Sequence, residues 1–383
     1  MDFRLNQDQL ELRRRAKDFA ERRVAPSAAA REKAKEFPWD LFREAAAEGF
    51  AGCLVPKTYG GSAIGNVGQC IVLEEIAVAC ASTHVTLSVH NSLISGPLVK
   101  YGSEALKRQW LPDLAVGKKL GSYLLTEPGS GSDAASMKST AVRDGDSWIL
   151  NGDKMWITSG DTADVGVVFA RTDLDPKAKP VKAISAFLVD MKLPGVSFGK
   201  REPKLGLRSS STTAVFLKDV RVPLGAMVGE ENKGFNIAMD TLNGGRIGIA
   251  VQSVGIARAA FEALVGAVSR LERRGAPMAK SQLAQWKLAD TATDIDAARL
   301  LCLRAAALRD LGEPHIGEAS MAKLFASRMA NETCRRAVEV LGEYGQSEAL
   351  PIERLFRDCR VTELYEGTTE VQRIVIAKQL LEA

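Results

Sequence analysis

The spacing of apolar residues changes twice along this chain, and those two changes restrict what it can fold into. From about residue 7 to 117 the apolar positions follow a helical period. Leu10, Phe19 and Val24 punctuate a charged segment with Pro26 near its end, and FPWDLFREAAAEGF gives a second helix closed by Gly49. IVLEEIAVACAS and GPLVKYGSEALKRQWLPDL continue in the same style. Near Gly121 the character becomes strand-like. SWILNGDKMWIT places Asn151-Gly152 between two apolar runs, a strong hairpin signal, and VGVVFAR, AISAFLVD and TTAVFLKDV follow as β-rich runs. After Gly234 the helical period returns in segments of bundle-helix length, such as LADTATDIDAARLLCLRAAALRDLG. Three units follow: residues 1–118 helical, 119–232 β and 233–383 helical. The expected fold class is a multi-domain α+β protein with an N-terminal helical bundle, a central β-barrel-like domain and a C-terminal four-helix bundle.

The 383 residues suffice for two or three packed units, and the apolar and charged fractions are ordinary for a globular protein. The net charge of +4 is small, and the one dense basic run, Arg13-Arg14-Arg15, lies in a helical pattern and reads as a solvated face. Nucleic acid is therefore not expected as a partner, although a local basic patch for an anionic ligand stays open. Cys53, Cys70, Cys80, Cys302, Cys334 and Cys359 show no CxxC spacing and read as reduced, mostly buried thiols, so the expected location is cytoplasmic. His84, His90 and His315 form no close metal-ligand pair, so no metal is expected. MDFRLNQDQLELRRR has no apolar signal-peptide core, and no uninterrupted apolar run reaches bilayer length, so no membrane is expected.

Three stretches carry candidate chemistry. GSYLLTEPGSGSD, Gly121 to Asp133, crowds glycines and serines after a strand-like run, where backbone N–H groups can approach a ligand; an ordinary polar turn has the same composition. WITSG, Trp156 to Gly160, could set an aromatic face and a hydroxyl against a planar ligand, or hold a structural Trp. In LYEGTTEVQR, Leu364 to Arg373, Thr369 and Gln372 have capping-box spacing, which predicts a helix start, and Val371, Ile374 and Val375 share a face expected to dock on a core. Glu366 then lies on the loop entering that helix, beside Gly367, which permits close approach of a substrate chain. A loop glutamate can equally be solvated.

TEPGSGSD, WITS and YEGTTE, in this order within a helical–β–helical layout, resemble the acyl-CoA dehydrogenase family. The likeness runs from MDFRLNQDQ to VQRIVIAKQLL, and LNGGRIGIAVQSVGIARAA is similar to short-chain members. The resemblance implies FAD held between the β domain and the C-terminal bundle. It implies oxidation of a short or branched acyl-CoA to the 2,3-enoyl-CoA, with electrons passed to an electron-transfer flavoprotein, in a homotetramer or heterotetramer. Glu366 is then the base that removes the pro-R α-proton while the β-hydride goes to flavin N5. An α C–H is a very weak acid, so such a base must be desolvated, and the enolate oxygen must meet preplaced donors. In the family these are the N–H of the base residue and a flavin ribityl hydroxyl. One branch carries its base immediately before an Arg in an earlier helix; here that position is Gly245, so Glu366 is the candidate that remains. The same resemblance gives Tyr123, Leu125, Thr126, Gly131, Ser132, Trp156, Ile157, Thr158, Gln282, Thr368 and Glu370 as cofactor-binding. It gives Ser132, Asn243, Arg246 and Gly367 as substrate-binding, with Asn243 standing where short-chain relatives often carry Asp for the CoA arm.

Two stretches depart from the family. An Arg-x-x-Phe-Gly that reaches a partner's FAD is replaced by Leu271 and Arg274 before Gly275, and a Gln-x-x-Gly-Gly-x-Gly appears as EVLGEYG, with Glu339 and Glu343 as acids expected to repel a pyrophosphate. Drift offset by Arg270, Arg273 or Arg274 is the other reading. The alternatives to the main reading are a dehydrogenase of carrier-protein-bound thioesters, a subunit of a hetero-oligomer with weakened FAD contacts, and a catalytically weak subunit that binds a partner or nucleotide.

Overall fold

A computed structural model describes residues 4–273 and 275–382. The N-terminal unit contains α1 (Gln7–Phe19), α2 (Ala25–Ala34), α3 (Trp39–Ala47), α4 (Gly65–Ala79), α5 (Ala81–Val89), α6 (Gly96–Tyr101) and α7 (Glu104–Ala115). The Asn6 side chain accepts the Gln9 N–H while Gln9 returns to the Asn6 N–H, a reciprocal cap that starts α1. Pro26 does not end this segment. A wide π turn, Ala20–Val24, leads into α2, and Pro26 sits in its first turn, where a missing N–H costs no helical bond. Gly49, at φ 83°, follows α3 as expected.

The middle unit contains β1 (Gly121–Leu124), β2 (Thr140–Asp144), β3 (Ser147–Thr158), β4 (Val165–Arg171), β5 (Ile184–Asp190), β6 (Val196–Phe198), β7 (Thr212–Pro223) and β8 (Met227–Val228). They form one sheet in the order β6-β7-β3-β2-β4-β5-β8, with β1 added parallel to β4. The Asn151-Gly152 hairpin does not form. Both residues lie inside β3, and a register shift against β7 between Leu150 and Gly152 absorbs the irregularity. Gly152, at φ 148°, passes so close to Ser139 that a Cβ would overlap its hydroxyl. The turn lies earlier, at Gly145-Asp146, where Gly145 takes φ 61° and Asp144 pairs with Ser147.

The C-terminal unit contains α8 (Gly234–Val268), a small hairpin of β9 (Glu272–Arg273) and β10 (Ala276–Pro277), then α9 (Gln282–Asp310), α10 (Ile316–Leu341), α11 (Glu343–Gln346), α12 (Ile352–Cys359) and α13 (Thr369–Leu381). By length and composition α8 could cross a membrane, with mean hydropathy 1.4 over its most apolar window, although Asp240, Arg246, Arg258 and Glu262 interrupt its apolar run. That window is 72% buried inside the protein, against α4, α9 and α10, as a core helix would be.

The strand period decides where the units meet. On β4, Val167 and Phe169 belong to the core shared with both helical units, while Val168 and Ala170 belong to a second core on the other face of the sheet. One face of the sheet is thereby pressed against the helices, and the candidate site lies at that junction.

Candidate active site

Glu366 and Gly367 connect the turn Arg360–Glu363 to α13, with φ of 51° and 92°. Gly adopts this left-handed region freely, whereas Glu is strained there. Two buried side chains hold the turn in place. Gln372 Nε2 donates to the carbonyls of Glu366 (3.3 Å) and Gly367 (2.8 Å), and Lys323 Nζ, from α10, donates to the Gly367 carbonyl at 2.8 Å. Gly367 leaves room for Gln372, because a Cβ there would lie 2.6 Å from Gln372 Nε2.

The helix start is displaced by one residue from the expected box. Thr368 is the cap, its hydroxyl accepting the Val371 N–H, while Thr369 donates to the Glu363 carbonyl and Gln372 is spent on the loop. The expected docking face fails at Ile374, which is 66% exposed; Thr369 and Gln372 carry the buried side of α13. Polar anchoring of the loop, rather than apolar burial, fixes this helix.

The Glu366 side chain reaches α8. A Cβ on Gly245 would overlap Glu366 Oε2 and come within 2.9 Å of Leu93 Cδ2, so the absent side chain of Gly245 is the space that the carboxylate fills. Glu366 as a residue is partly exposed, but its Oε2 is buried and has no hydrogen-bond partner among the described residues. Loss of water raises the carboxyl pKa to about 7, against the pull of Lys323 and then Arg246. Arg246 is itself buried. One guanidinium nitrogen donates to Asn243 Oδ1 (2.8 Å) and Ser320 Oγ (3.2 Å), and its Nε lacks a partner among the described residues. Tyr365, next to Glu366, hydrogen-bonds Gln252 of α8 through its hydroxyl.

On the β side, the Met155 N–H donates to the Thr126 carbonyl at 2.9 Å and Ser122 Oγ to the Thr158 carbonyl at 2.8 Å, which ties the TEPGSGSD and WITS stretches together. Glu127 and Lys154, which sequence reasoning missed, anchor them. The Glu127 carboxylate accepts the N–H groups of Lys138 (2.6 Å) and Ser139 (3.1 Å) and Lys154 Nζ (2.7 Å). Lys154, fully buried, also donates to the carbonyls of Leu125 (3.3 Å) and Phe169 (2.7 Å). The only signal was a lysine at a buried position of an alternating strand.

Trp156 has φ 58° at a second register shift of β3, between Lys154 and Ile157, and the residue is 56% exposed while Ile157 is buried. Such a conformation for a bulky residue is strained and marks a site. Thr158 is half-buried two residues on, Thr126 is half-buried with its carbonyl bonded to the Met155 N–H, and Leu125 is buried; Gly131 and Ser132 lie exposed past the Glu127–Ser130 turn, and among the described residues a Cβ on Gly131 would meet open space. Tyr123, on β1, stacks edge-on to Phe169 at 5.1 Å and its hydroxyl donates to the Ala238 carbonyl of α8 at 3.5 Å; burial and then the Glu366 charge raise its phenol pKa well above the usual value.

Glu370 is exposed in the first turn of α13, near Lys323. Gln282 stands exposed at the start of α9 and makes no hydrogen bond to these residues. Leu271 is half-buried against the core, and Arg274 lies outside the described residues. Glu339 is not the uncompensated acid expected, because Lys287 (3.4 Å) and Arg335 (3.1 Å) pair with it; Glu343 is exposed without an ion pair among the described residues.

The β side suits a planar aromatic ligand, since an exposed indole lies two residues before Thr158 and next to Met155, whose N–H bonds the Thr126 carbonyl. A proton acceptor fits the helical side. Family models for the N-terminal, middle and C-terminal domains of acyl-CoA dehydrogenase match residues 6–118, 122–220 and 232–381. The chain is 46% identical over 367 residues to the human mitochondrial short-chain specific acyl-CoA dehydrogenase, covering 96% of this chain and 88% of that one. Among solved structures it resembles butyryl-CoA dehydrogenase from Megasphaera elsdenii, with TM-score 0.97 and 39% identity over the full length of both chains. A chain in a structure of the electron transferring flavoprotein of Acidaminococcus fermentans matches with TM-score 0.97 and 41% identity, again over both full lengths. A glutaryl-CoA dehydrogenase from Mycobacterium smegmatis in complex with FADH2 matches with TM-score 0.93 and 31% identity over 99% of this chain and 96% of that one. By sequence, domain order and fold, the chain belongs to the acyl-CoA dehydrogenase family.

Proposed function

We propose that this protein is an FAD-dependent dehydrogenase of short acyl-CoA thioesters in which Glu366 removes the α-proton. The observation that carries the reading is the buried, unpartnered Oε2 of Glu366 in the space left by Gly245. A carboxyl group with pKa of about 7 is a far stronger base than a solvated one and is still half ionised near neutrality. Its open lone pair is free to take a proton, since neither cation beside it bonds that oxygen. To Arg246 and Asn243, joined to each other on α8, the same reading assigns the holding of the thioester arm.

The β-side residues suit FAD: Trp156 and the Thr126 and Thr158 hydroxyls for the planar ring, Gly131 and Ser132 for the chain beyond it, and Thr368 and Glu370 at the start of α13. FAD bound there supplies the hydride acceptor. A CoA thioester is favoured over a carrier-bound one because the relatives named for CoA substrates are more alike than the prolyl acyl carrier protein oxidase AnaB, at 28% identity. An electron-transfer flavoprotein as acceptor, a tetrameric assembly and a cytoplasmic location belong to the same proposal; the location rests on six cysteines that are all free.

The test is a visible spectrum of the FAD-loaded protein during titration with straight and branched acyl-CoA thioesters. Butyryl-CoA should bleach the flavin, and long chains should do so less. Glu366→Gln should keep the colour and bind ligand without bleaching, and unchanged bleaching in that variant removes the assignment of the base.

A further inference from the structure

We propose that Lys323 is a positioning residue for the base: it clamps the Gly367 carbonyl and fixes a positive charge beside the Glu366 carboxylate without bonding it. The inference rests on the reading of Glu366 as the base. Lys323 is fully buried on α10, and among the described residues its ammonium hydrogen-bonds the Gly367 carbonyl alone, at 2.8 Å. A lysine so placed loses nearly all hydration of its charge and needs a compensating anion. The acids near it are Glu366, Glu363 and the exposed Glu370, with Arg246 opposing. Burial lowers its own pKa to about 8, so it remains mostly cationic at neutral pH.

The division of labour in the clamp supports a role for the charge. The Gly367 carbonyl already receives Gln372 Nε2, and Gln372 also reaches the Glu366 carbonyl, so a neutral amide alone could hold the turn. What the lysine adds is charge at short range. An ammonium bonded directly to Glu366 would occupy the lone pair that takes the proton. Tied to a carbonyl one residue on, it stabilises the ionised form and leaves Oε2 open. The charged and titratable groups facing Glu366 come from every element around it: Arg246 from α8, Lys323 from α10, Tyr123 from β1, and Tyr365 within its own loop. Of these, Lys323 is the largest favourable influence on the ionised base.

The experiment uses the FAD-loaded enzyme and compares Lys323→Gln, which keeps a donor for the carbonyl and drops the charge, with Lys323→Arg, Gln372→Leu and Glu366→Gln. Butyryl-CoA turnover and single-turnover flavin bleaching are followed from pH 5.5 to 9, with flavin content and Tm measured for each variant. In Lys323→Gln the acidic limb of kcat/KM should move up by about one pH unit, so that activity well below the limb falls about tenfold. Lys323→Arg should return the limb towards the wild-type position, and Gln372→Leu should lower the rate at every pH without moving it. An acidic limb that stays in place in Lys323→Gln, with flavin content and Tm unchanged, overturns the inference. So does a failure of both Lys323→Gln and Lys323→Arg to fold, which would make steric fit the residue's role. Bleaching retained in Glu366→Gln would instead overturn the underlying reading, and the two failures are therefore told apart.

Discussion

The two halves of the site are held by different physics. On the β side, strand pairing and one buried ion pair, Glu127 with Lys154, lock the loop; the carboxylate and carbonyls of that cluster find donors on a neighbouring strand or turn. On the helical side, the base sits on a left-handed turn, held by side chains from two helices, and buried atoms of Glu366, Arg246 and Gln372 lack partners among the described residues. The first half ties its buried charges to fixed partners, although Trp156 is strained there too. The second leaves buried atoms of its charged groups without partners, as a group that must take a proton requires. The contrast predicts that damage on the helical side changes rate more than stability, and that damage on the β side does the reverse.

The largest effect expected is on rate. Gly245→Ala places a methyl group where the carboxylate lies, and Glu366 must leave its pocket. Bleaching by butyryl-CoA should slow by about two orders of magnitude, as for a catalytic group displaced by roughly 1 Å. Flavin content and Tm should change little. A variant of near wild-type rate would mean that the base does not work from this pocket.

The largest effect on stability should come from the β side. Lys154→Met removes one partner of a buried pair and strands Glu127, at a cost of about 3–5 kcal/mol. Tm should fall by several degrees and flavin should be lost on dilution, while any protein that keeps its flavin should bleach at a nearly normal rate. A slow chemical step in flavin-loaded Lys154→Met would erase the contrast between the halves.

The sequence made this contrast only partly visible. The order of units, the strands β4, β5 and β7 and the loop bearing Glu366 followed from hydrophobic period and motif, because those patterns are local. Features set by partners distant in the chain did not. Asn151-Gly152 carries the stronger dipeptide signal, yet pairing with β7 keeps β3 continuous through it and the turn forms at Gly145-Asp146. The cap went to Thr368 because Gln372, which the box needed, is claimed by the Glu366 and Gly367 carbonyls. No motif marks Lys154 or Lys323, although Lys323 lies between Ala319 and Ser327 on a small-residue face of α10, and both of those are buried. A lysine at a core position is the one signal that could have exposed both anchors.

A smaller effect links the base to pH. The folded state holds the Glu366 proton to about pH 7, well above the ordinary carboxyl value of 4.5. A carboxyl whose pKa is raised by folding contributes stability that is full below its unfolded pKa and is lost as pH rises through the folded one. Wild type should therefore lose stability between pH 4.5 and about 7 relative to Glu366→Gln, which cannot ionise there. The loss should be about 1–3 kcal/mol, because each pH unit separating the folded and unfolded pKa is worth about 1.4 kcal/mol. Thermal unfolding of both proteins across that range checks it, and curves that stay parallel would mean the carboxylate is better solvated than its burial suggests.

The smallest effect separates the cap from the clamp. Thr368→Ala removes a long N-cap bond, 3.4 Å to the Val371 N–H, and caps of this kind are worth about 0.5–2 kcal/mol. The lower end is expected, because Gln372 anchors the first turn of α13 from inside and Lys323 holds the preceding carbonyl from α10. Bleaching should slow by less than about threefold, within the rate change that a fraction of a kcal/mol allows. A fall in rate much larger than the loss of stability would shift the placement of Glu366 from the two buried donors to the helix start itself, and the helical half would then owe its geometry to a local cap.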